Sequence, residues 1–244
     1  MAVKSTAIYQ VVSAFHNDSK VRERVLTGPA FPLKKEEWFL FHPDFGFGNP
    51  PESSVILDNL RIPSREAVSS RRLVLEIGYG GAEYIKNRAL TSPDDLFIGI
   101  DKDKIMYLRA LHRLKRVGNV ILFNENALEV LPMLFYPSSV DEVVINFPDP
   151  WPKRRHSKHR LFQWVLIEDL KWIMAPGATL KLASDQEDYI SYAASLLFGD
   201  FSDYFSPVFP IYYLENPQFE IGTRYEKKWK QEGRSVYYIE AIKI

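Results

Sequence analysis

The 244-residue chain contains no cysteine, which excludes disulfides, zinc–thiolate centres and cysteine nucleophiles. It holds no apolar run near the roughly 18–20 residues that a membrane span requires. Its N-terminal stretch also lacks the apolar h-region of a signal peptide. Net charge is absent: 31 Lys plus Arg balance 31 Asp plus Glu. That balance argues against a blanket nucleic-acid coat and leaves room for a local basic patch. The five histidines show no His-x-x-x-His spacing beside an acid, so no metal is expected. There is no internal repeat. With 46% hydrophobic and 25% charged residues the composition is globular, and disorder and collagen drop out. The length allows one large α/β domain or two small ones, with a core that needs no staples. A soluble, cytoplasmic protein is expected, as a monomer or weak homodimer.

The chain falls into two parts. Residues 1–70 carry 6 of the 16 prolines and evenly balanced charge, with a short helix expected over Thr6–Phe15 and a turn at Pro50-Pro51. They read as an N-terminal extension packing on or flanking the core. From residue 71 to 244, short apolar runs alternate with helical stretches: Leu73–Ile77, Phe97–Ile100, Val120–Phe123, Val143–Asn146 and Thr179–Ala183. That alternation predicts a mostly parallel sheet with crossover helices. A helix is expected from about Arg160 to Ala175, with Phe162, Val165, Leu166, Leu170, Ile173 and Met174 on its buried face and Pro176-Gly177 as its stop. The run Val236–Ile244, after a break at Gly233, suits a final antiparallel strand.

The first strand runs into Glu76-Ile77-Gly78-Tyr79-Gly80-Gly81-Ala82, and the next ends at Asp101. A glycine-rich strand-to-helix turn lets backbone approach a ligand, and a strand-terminal acid can accept both hydroxyls of an adenosine ribose. Glu76 stands two residues before the first glycine, where a carboxylate suits a cationic ligand better than a pyrophosphate. The third glycine of a dinucleotide fingerprint is missing, since Glu83 occupies that place. These features favour S-adenosyl-L-methionine over NAD; the plain alternative is a tight turn with no ligand.

After Val143–Asn146 comes Phe147-Pro148-Asp149-Pro150-Trp151-Pro152, then a segment from Lys153 to Arg160 with five cations and no acid. Three prolines stiffen the loop and hold Asp149 where a strand end delivers it to a ligand crevice. The cations could be a solvated face, or they could grip RNA phosphates while a base stacks on Trp151.

At these residues the sequence resembles the tRNA (guanine-N7)-methyltransferase family, from about Leu73 to the C-terminus. The resemblance rests on four segments: Glu76 to Gly80; Phe147 to Trp151 with Lys153, Arg155 and His156; Ser184-Asp185-x-Glu187; and Thr223-Arg224-Tyr225-Glu226 followed by Lys228 and Gly233. It implies a Rossmann-like α/β methyltransferase fold, with a mostly parallel seven-stranded sheet, helices on both faces and a C-terminal antiparallel strand. It implies S-adenosyl-L-methionine as cofactor and tRNA as partner. Glu76 and the backbone of Gly78 and Gly80 would hold the cofactor, Asp101 its ribose and Asn126 its adenine. Asp149 would be the active-site acid beside cofactor and base. Lys153, Asp185, Thr223, Arg224, Tyr225 and Glu226 would bind the tRNA. Two residues depart from the family pattern: Asn126, where Asp is more frequent, and Ala82, where a third glycine is common.

Guanine N7 carries a free lone pair, so methylation there removes no proton. The protein must align N7 with the methyl donor and tolerate positive charge arriving on the base. The activity that the resemblance implies is formation of 7-methylguanosine in the tRNA variable loop. An RNA-binding module with weakened chemistry is the alternative, motivated by Asn126 and Ala82. A methyltransferase for a small molecule or protein is a third reading.

Overall fold

Strand β1 (Leu73–Ile77) is buried at every position, as is β2 (Leu96–Ile100). Continuous apolar runs of this kind are what a parallel sheet covered on both faces demands. The computed structural model describes residues 72–151, 159–219 and 221–244. The N-terminal extension with its Thr6–Phe15 helix, and Lys153 with most of the basic tail, lie outside the described residues.

Chain order is β1, α1 (Glu83–Thr91), β2, α2 (Lys104–Arg113), β3 (Val120–Phe123), α3 (Ala127–Leu134), β4 (Val140–Asn146), α4 (Trp164–Ile173) and β5 (Met174–Ser184). Helix α5 (Glu187–Ser195), a π-helical turn (Leu196–Asp200), β6 (Phe205–Pro207), β7 (Leu214–Glu215), α6 (Arg224–Gln231) and β8 (Tyr237–Lys243) complete it. The sheet order is β3-β2-β1-β4-β5-β8-β6. The first five strands are parallel, and β8 pairs antiparallel with β5 from Thr179↔Ile242 to Ser184↔Tyr237. Among the described residues the sheet has seven positions, as expected, filled by eight strands: β7 and β6 pair with different stretches of the free edge of β8 and so share one position.

Side-chain alternation sorts the core onto two faces. Leu73, Leu75 and Ile77 pack with Val130, Leu131, Leu166, Leu170 and Ile190 from α3, α4 and α5. Val74 and Phe97 pack with Ile85, Ala89, Tyr107 and Ala110 from α1 and α2. The first face also takes Phe162, buried just before α4.

Helix α4 is shorter than its sequence suggests. Val165, expected in the buried stripe, is 54% exposed, and Ile167 is buried instead. The helix ends at Ile173, before Pro176-Gly177, and Met174 already pairs with Val140. The next pairs are Glu142↔Thr179 and onward, so two steps on β4 match five on β5. The intervening Ala175–Ala178 bulge out of the ladder, where a proline needs no sheet hydrogen bond and Gly177 takes φ +80°.

Candidate active site

Five parallel strands deliver their carboxyl ends to one edge of the sheet, the usual place for a ligand in an open α/β fold. An open crevice of about 1620 Å³ lies there. Glu76, Gly78, Gly80, Asp101, Asn126, Asp149, Thr223, Arg224 and Tyr225 all line it.

The turn after β1 is built on left-handed residues. Gly78, Gly80 and Ala82 have φ of +79°, +49° and +56°. The first two are glycine, which enters that region freely; Ala82, fully buried, enters it at a steric cost. The Gly78 N–H donates to the Ile100 carbonyl at 2.8 Å, locking the turn to β2. A Cβ built on Gly78 or Gly80 would meet nothing within 4 Å, so this side of the loop is open to a ligand. On the other side, Arg113 donates to the Gly81 carbonyl and pairs with Glu83 at 3.1 Å. The Tyr79 ring is buried against β2 at Gly99, where an added Cβ would lie 2.7 Å from Tyr79 Cδ1.

Asp101 leaves β2 with both oxygens engaged. Oδ2 accepts the Gly80 N–H at 2.8 Å and Oδ1 accepts the Asp103 N–H at 2.9 Å. Burial raises its pKa, and these two hydrogen bonds pull it back. Each oxygen keeps a lone pair for a further donor.

Glu76 is buried at 3% exposure, and its Oε2 has no hydrogen-bond partner among the described residues. Burial pushes its carboxyl up to about 8; the neighbouring Asn146 amide lowers it and Asp101 raises it further. Asn146 Nδ2 is likewise buried without a partner among the described residues, so the crevice wall holds an unpaired acceptor and an unpaired donor. Such groups cost free energy unless something pairs with them.

Asn126 sits at the N-cap of α3. Its Oδ1 accepts the Leu128 N–H at 3.3 Å and its Nδ2 donates to Glu129 at 2.9 Å. Its neighbour Glu125, which sequence reasoning missed, is 7% exposed, lines the crevice and makes no hydrogen bond among the described residues. Burial, then the charge of Glu129, pushes its carboxyl up to about 7. Nothing in an isolated Glu-Asn pair distinguishes this acid from a surface one; Asn146, at the polar end of an apolar strand, was the more legible omission.

Asp149 stands exposed on the crevice wall, in a loop held at both shoulders. Phe147 and Trp151 take φ of +51° and +41°, conformations that bulky residues rarely adopt. The Phe147 N–H donates to the Ala183 carbonyl at 2.8 Å, and Arg160 Nε donates to the Pro150 carbonyl at 3.0 Å. The Arg160 guanidinium also lies over Tyr189 at 5.4 Å. Arg160, read from sequence as part of the cationic tail, is thus a brace for the Asp149 loop. Trp151 packs against His159 with ring centroids 5.4 Å apart.

The segment Thr223-Arg224-Tyr225-Glu226 opens helix α6. Thr223 Oγ1 accepts the Glu226 N–H at 3.0 Å, and Glu226 Oε2 reaches back to the Gly222 N–H at 2.8 Å. This is a capping box displaced by one residue at its return bond. Glu226 is 2% exposed and pairs with Lys230 at 2.8 Å, so its carboxylate is committed within the helix and does not line the crevice. Exposed Arg224 and Tyr225 do line it, and the Tyr225 ring lies 6.1 Å from Phe147. Gly233, φ +70°, closes the helix: its N–H meets the Lys230 carbonyl and the Arg234 N–H meets that of Trp229. Asp185 is turned to Arg234 at 2.9 Å, and that guanidinium lies 4.3 Å from the Trp229 ring centre. Asp185 does not line the crevice.

No group of three or more His, Asp or Glu suited to a metal occurs among the described residues. No described helix is long and apolar enough to cross a membrane.

A family described as "Putative methyltransferase" matches residues 70–239. The tRNA (guanine-N(7)-)-methyltransferase of Thermus thermophilus is 33% identical over 174 residues, covering 70% of this chain and 54% of the relative. That of Magnetococcus marinus is 36% identical over 172 residues, covering 70% of this chain and 68% of its own. The chain thus spans about half the length of the Thermus relative and two thirds of the Magnetococcus one. Among solved structures, the 16S rRNA (adenine(1408)-N(1))-methyltransferase of Catenulisporales acidiphilia, determined with its cosubstrate SAM, superposes with a TM-score of 0.51 at 16% identity. That match covers 71% of this chain and 86% of the other, and shares the Rossmann-like fold.

Proposed function

Because the chain belongs to the tRNA (guanine-N(7)-)-methyltransferase family, we propose that it methylates N7 of a guanine in the tRNA variable loop in the cytoplasm, using S-adenosyl-L-methionine and forming 7-methylguanosine. One observation carries the reading. A single crevice brings together an open glycine turn, the ribose-competent Asp101, the unsatisfied Glu76–Asn146 pair and the rigid Asp149 loop.

The residues present fit the cofactor. Glu76 Oε2 is a buried acceptor without a donor, suited to an ammonium group, and Asn146 Nδ2 is a donor suited to a carboxylate. Gly78 and Gly80 leave the space a ligand needs. Asp101 would take the ribose hydroxyls, and Glu125 with Asn126 would border the adenine. When bound, S-adenosyl-L-methionine supplies an electrophilic methyl group on a sulfonium.

The chain's own residues then orient the base. No general base is needed, because guanine N7 already carries its lone pair. Asp149, fixed by the strained shoulders of its loop, can accept from the N1–H and N2–H₂ edge of guanine, and its charge offsets the positive charge arriving on the ring. Tyr225 and Trp151 flank that entry as stacking surfaces, and Arg224 offers a cation for phosphate. Asp185 would act on the tRNA through Arg234, and Thr223 and Glu226 by holding α6 in place. Lys153 would add a phosphate contact.

Incubating the protein with unmodified tRNA and S-adenosyl-L-methionine, then mass-mapping the RNA, tests the reading. One 7-methylguanine in the variable loop is expected. Unmodified RNA beside a measurable cofactor isotherm would leave a methyltransferase of another substrate.

A further inference from the structure

Helix α2 lies on the β2–β3 flank of the crevice, across the glycine turn from the Asp149 loop. From Lys104 to Arg116, α2 and the turn that follows it contain five cations, one histidine and no acid. Lys102, Arg109, His112, Arg113 and Lys115 line the crevice, joined by Lys86 from α1. Of the nearby acids, Asp103 caps the helix by accepting from Ile105 and Met106, and Asp101 is bound to backbone. Arg113 is held by Gly81 and Glu83.

Lys86, Lys102, Arg109 and Lys115 have no ion-pair partner among the described residues. This sets the face apart from α4 and α6, where Lys171, Lys228 and Lys230 each pair with a glutamate three or four residues away. Cations gathered on one face without ion-pair partners repel each other and raise the local positive potential. The same stripe exposes Ile105 at 61% and Leu108 at 57%. Positions 105, 108, 109 and 112 fall on one side of a helix, so aliphatic and cationic groups are interleaved there.

Resting on the function given above, we propose that this face of α2 is a second RNA-docking surface. Arg109, Lys115 and Lys86 contact phosphates of the tRNA body, and Ile105 and Leu108 lie against sugar faces. Charge complementarity selects a polyanion as the occupant, and the shared crevice places it within reach of the methyl-transfer centre. The tRNA would then be gripped on both flanks, by α2 on one side and by α6 with the Asp149 loop on the other.

Arg109→Glu and Lys115→Glu, singly and together, test this in the full chain by fluorescence anisotropy with unmodified tRNA at several salt concentrations. The double variant is expected to weaken binding at least about tenfold near 50 mM salt. Its plot of log affinity against log salt should be shallower than wild type by about one to two. Arg109→Lys with Lys115→Arg, which keeps the charge, should restore both. Calorimetric affinity for S-adenosyl-L-methionine should stay at the wild-type value, showing that the glycine turn is intact. Wild-type affinity and slope in the double charge reversal would overturn the proposal. So would a loss confined to thermal stability, which would point to residues 1–71 as the occupant of this face. If the wild type neither binds nor methylates tRNA, the proposed function falls and this surface with it; if it does both while the reversed variant binds equally, only the surface falls.

Discussion

The Asp101 carboxylate accepts the Gly80 N–H at 2.8 Å, so the acid at the end of β2 sets the shape of the glycine turn as well as facing the ligand. Its second oxygen holds the Asp103 N–H that begins α2. An amide has one acceptor oxygen, so Asp101→Asn leaves one of these two donors facing an NH₂ group. Asp101→Asn and Asp101→Ala should therefore both lower the ligand-free melting temperature. Hydrogen bonds to charged groups contribute about 1.5–3 kcal/mol, so cofactor Kd should rise roughly 10- to 100-fold. Unaltered melting with weakened cofactor binding would confine Asp101 to ribose contact.

Gly99 illustrates a second dependency of the turn on β2. A Cβ there would sit 2.6 Å from Leu122 Cδ2 and 2.7 Å from Tyr79 Cδ1. Overpacking of this kind costs about 1–3 kcal/mol, and the displaced Tyr79 lies between Gly78 and Gly80 in the turn. Gly99→Ala should lower both stability and cofactor affinity, read by denaturant unfolding and calorimetry. Gly199→Ala, whose Cβ meets nothing within 4 Å, is the matched control and should change neither.

The parallel strands were legible because their apolar runs have no solvent face, and β1 and β3 begin and end where their sequence suggests. The order of their carboxyl ends then brought Glu76, Asp101, Asn126 and Asp149 into one crevice. Helix α4 was less legible. Val165 and Ile167 are both apolar, and periodicity over ten residues cannot tell which of them faces the sheet; Pro176-Gly177 marks a bulge in β5 rather than the helix end. Helix α6 did carry its signals, Thr223-x-x-Glu226 before it and Gly233 after it, but its charged, aromatic sequence resembles a loop. Glu125 could not be recognised, since its burial comes from long-range packing.

The capping arrangement separates two roles for Thr223. Thr223→Ala removes the acceptor for the Glu226 N–H and should cost about 1 kcal/mol. Arg224 and Tyr225 then lose their fixed helical start, so KM for tRNA should rise. Thr223→Ser keeps the hydroxyl and should behave as wild type in both respects. A variant with a raised KM but unchanged thermal stability would instead make Thr223 a direct RNA contact.

Among the described residues, exposed Asp149 makes no bond that holds its loop; the bracing runs through Phe147, Pro150 and Arg160. Asp149→Ala should leave the melting temperature at its wild-type value while turnover of tRNA falls about 100-fold, the scale set by losing one preorganised group at a centre of developing charge. Asp149→Asn, whose amide oxygen still accepts, should fall between. Full 7-methylguanine formation by Asp149→Ala would remove this residue from the mechanism.

Glu76 makes the protein's stability depend on pH in a direction opposite to that of an ion-paired acid. Its folded pKa is pushed up to about 8 by burial, against an ordinary value of 4.5. Between those limits the unfolded chain has released its proton and the folded chain retains it. Unfolding then releases protons, so stability falls as pH rises through that window and levels off above about 8. Glu76→Gln keeps a neutral side chain at every pH. In the absence of ligand it should be more stable than wild type at alkaline pH, by a few kcal/mol at most, and should show a flatter profile across the same window. Denaturant unfolding of both proteins at acidic, neutral and alkaline pH reads the difference directly. Parallel profiles would mean that Glu76 is already ionised in the folded chain, and that the crevice wall satisfies its charge without a ligand.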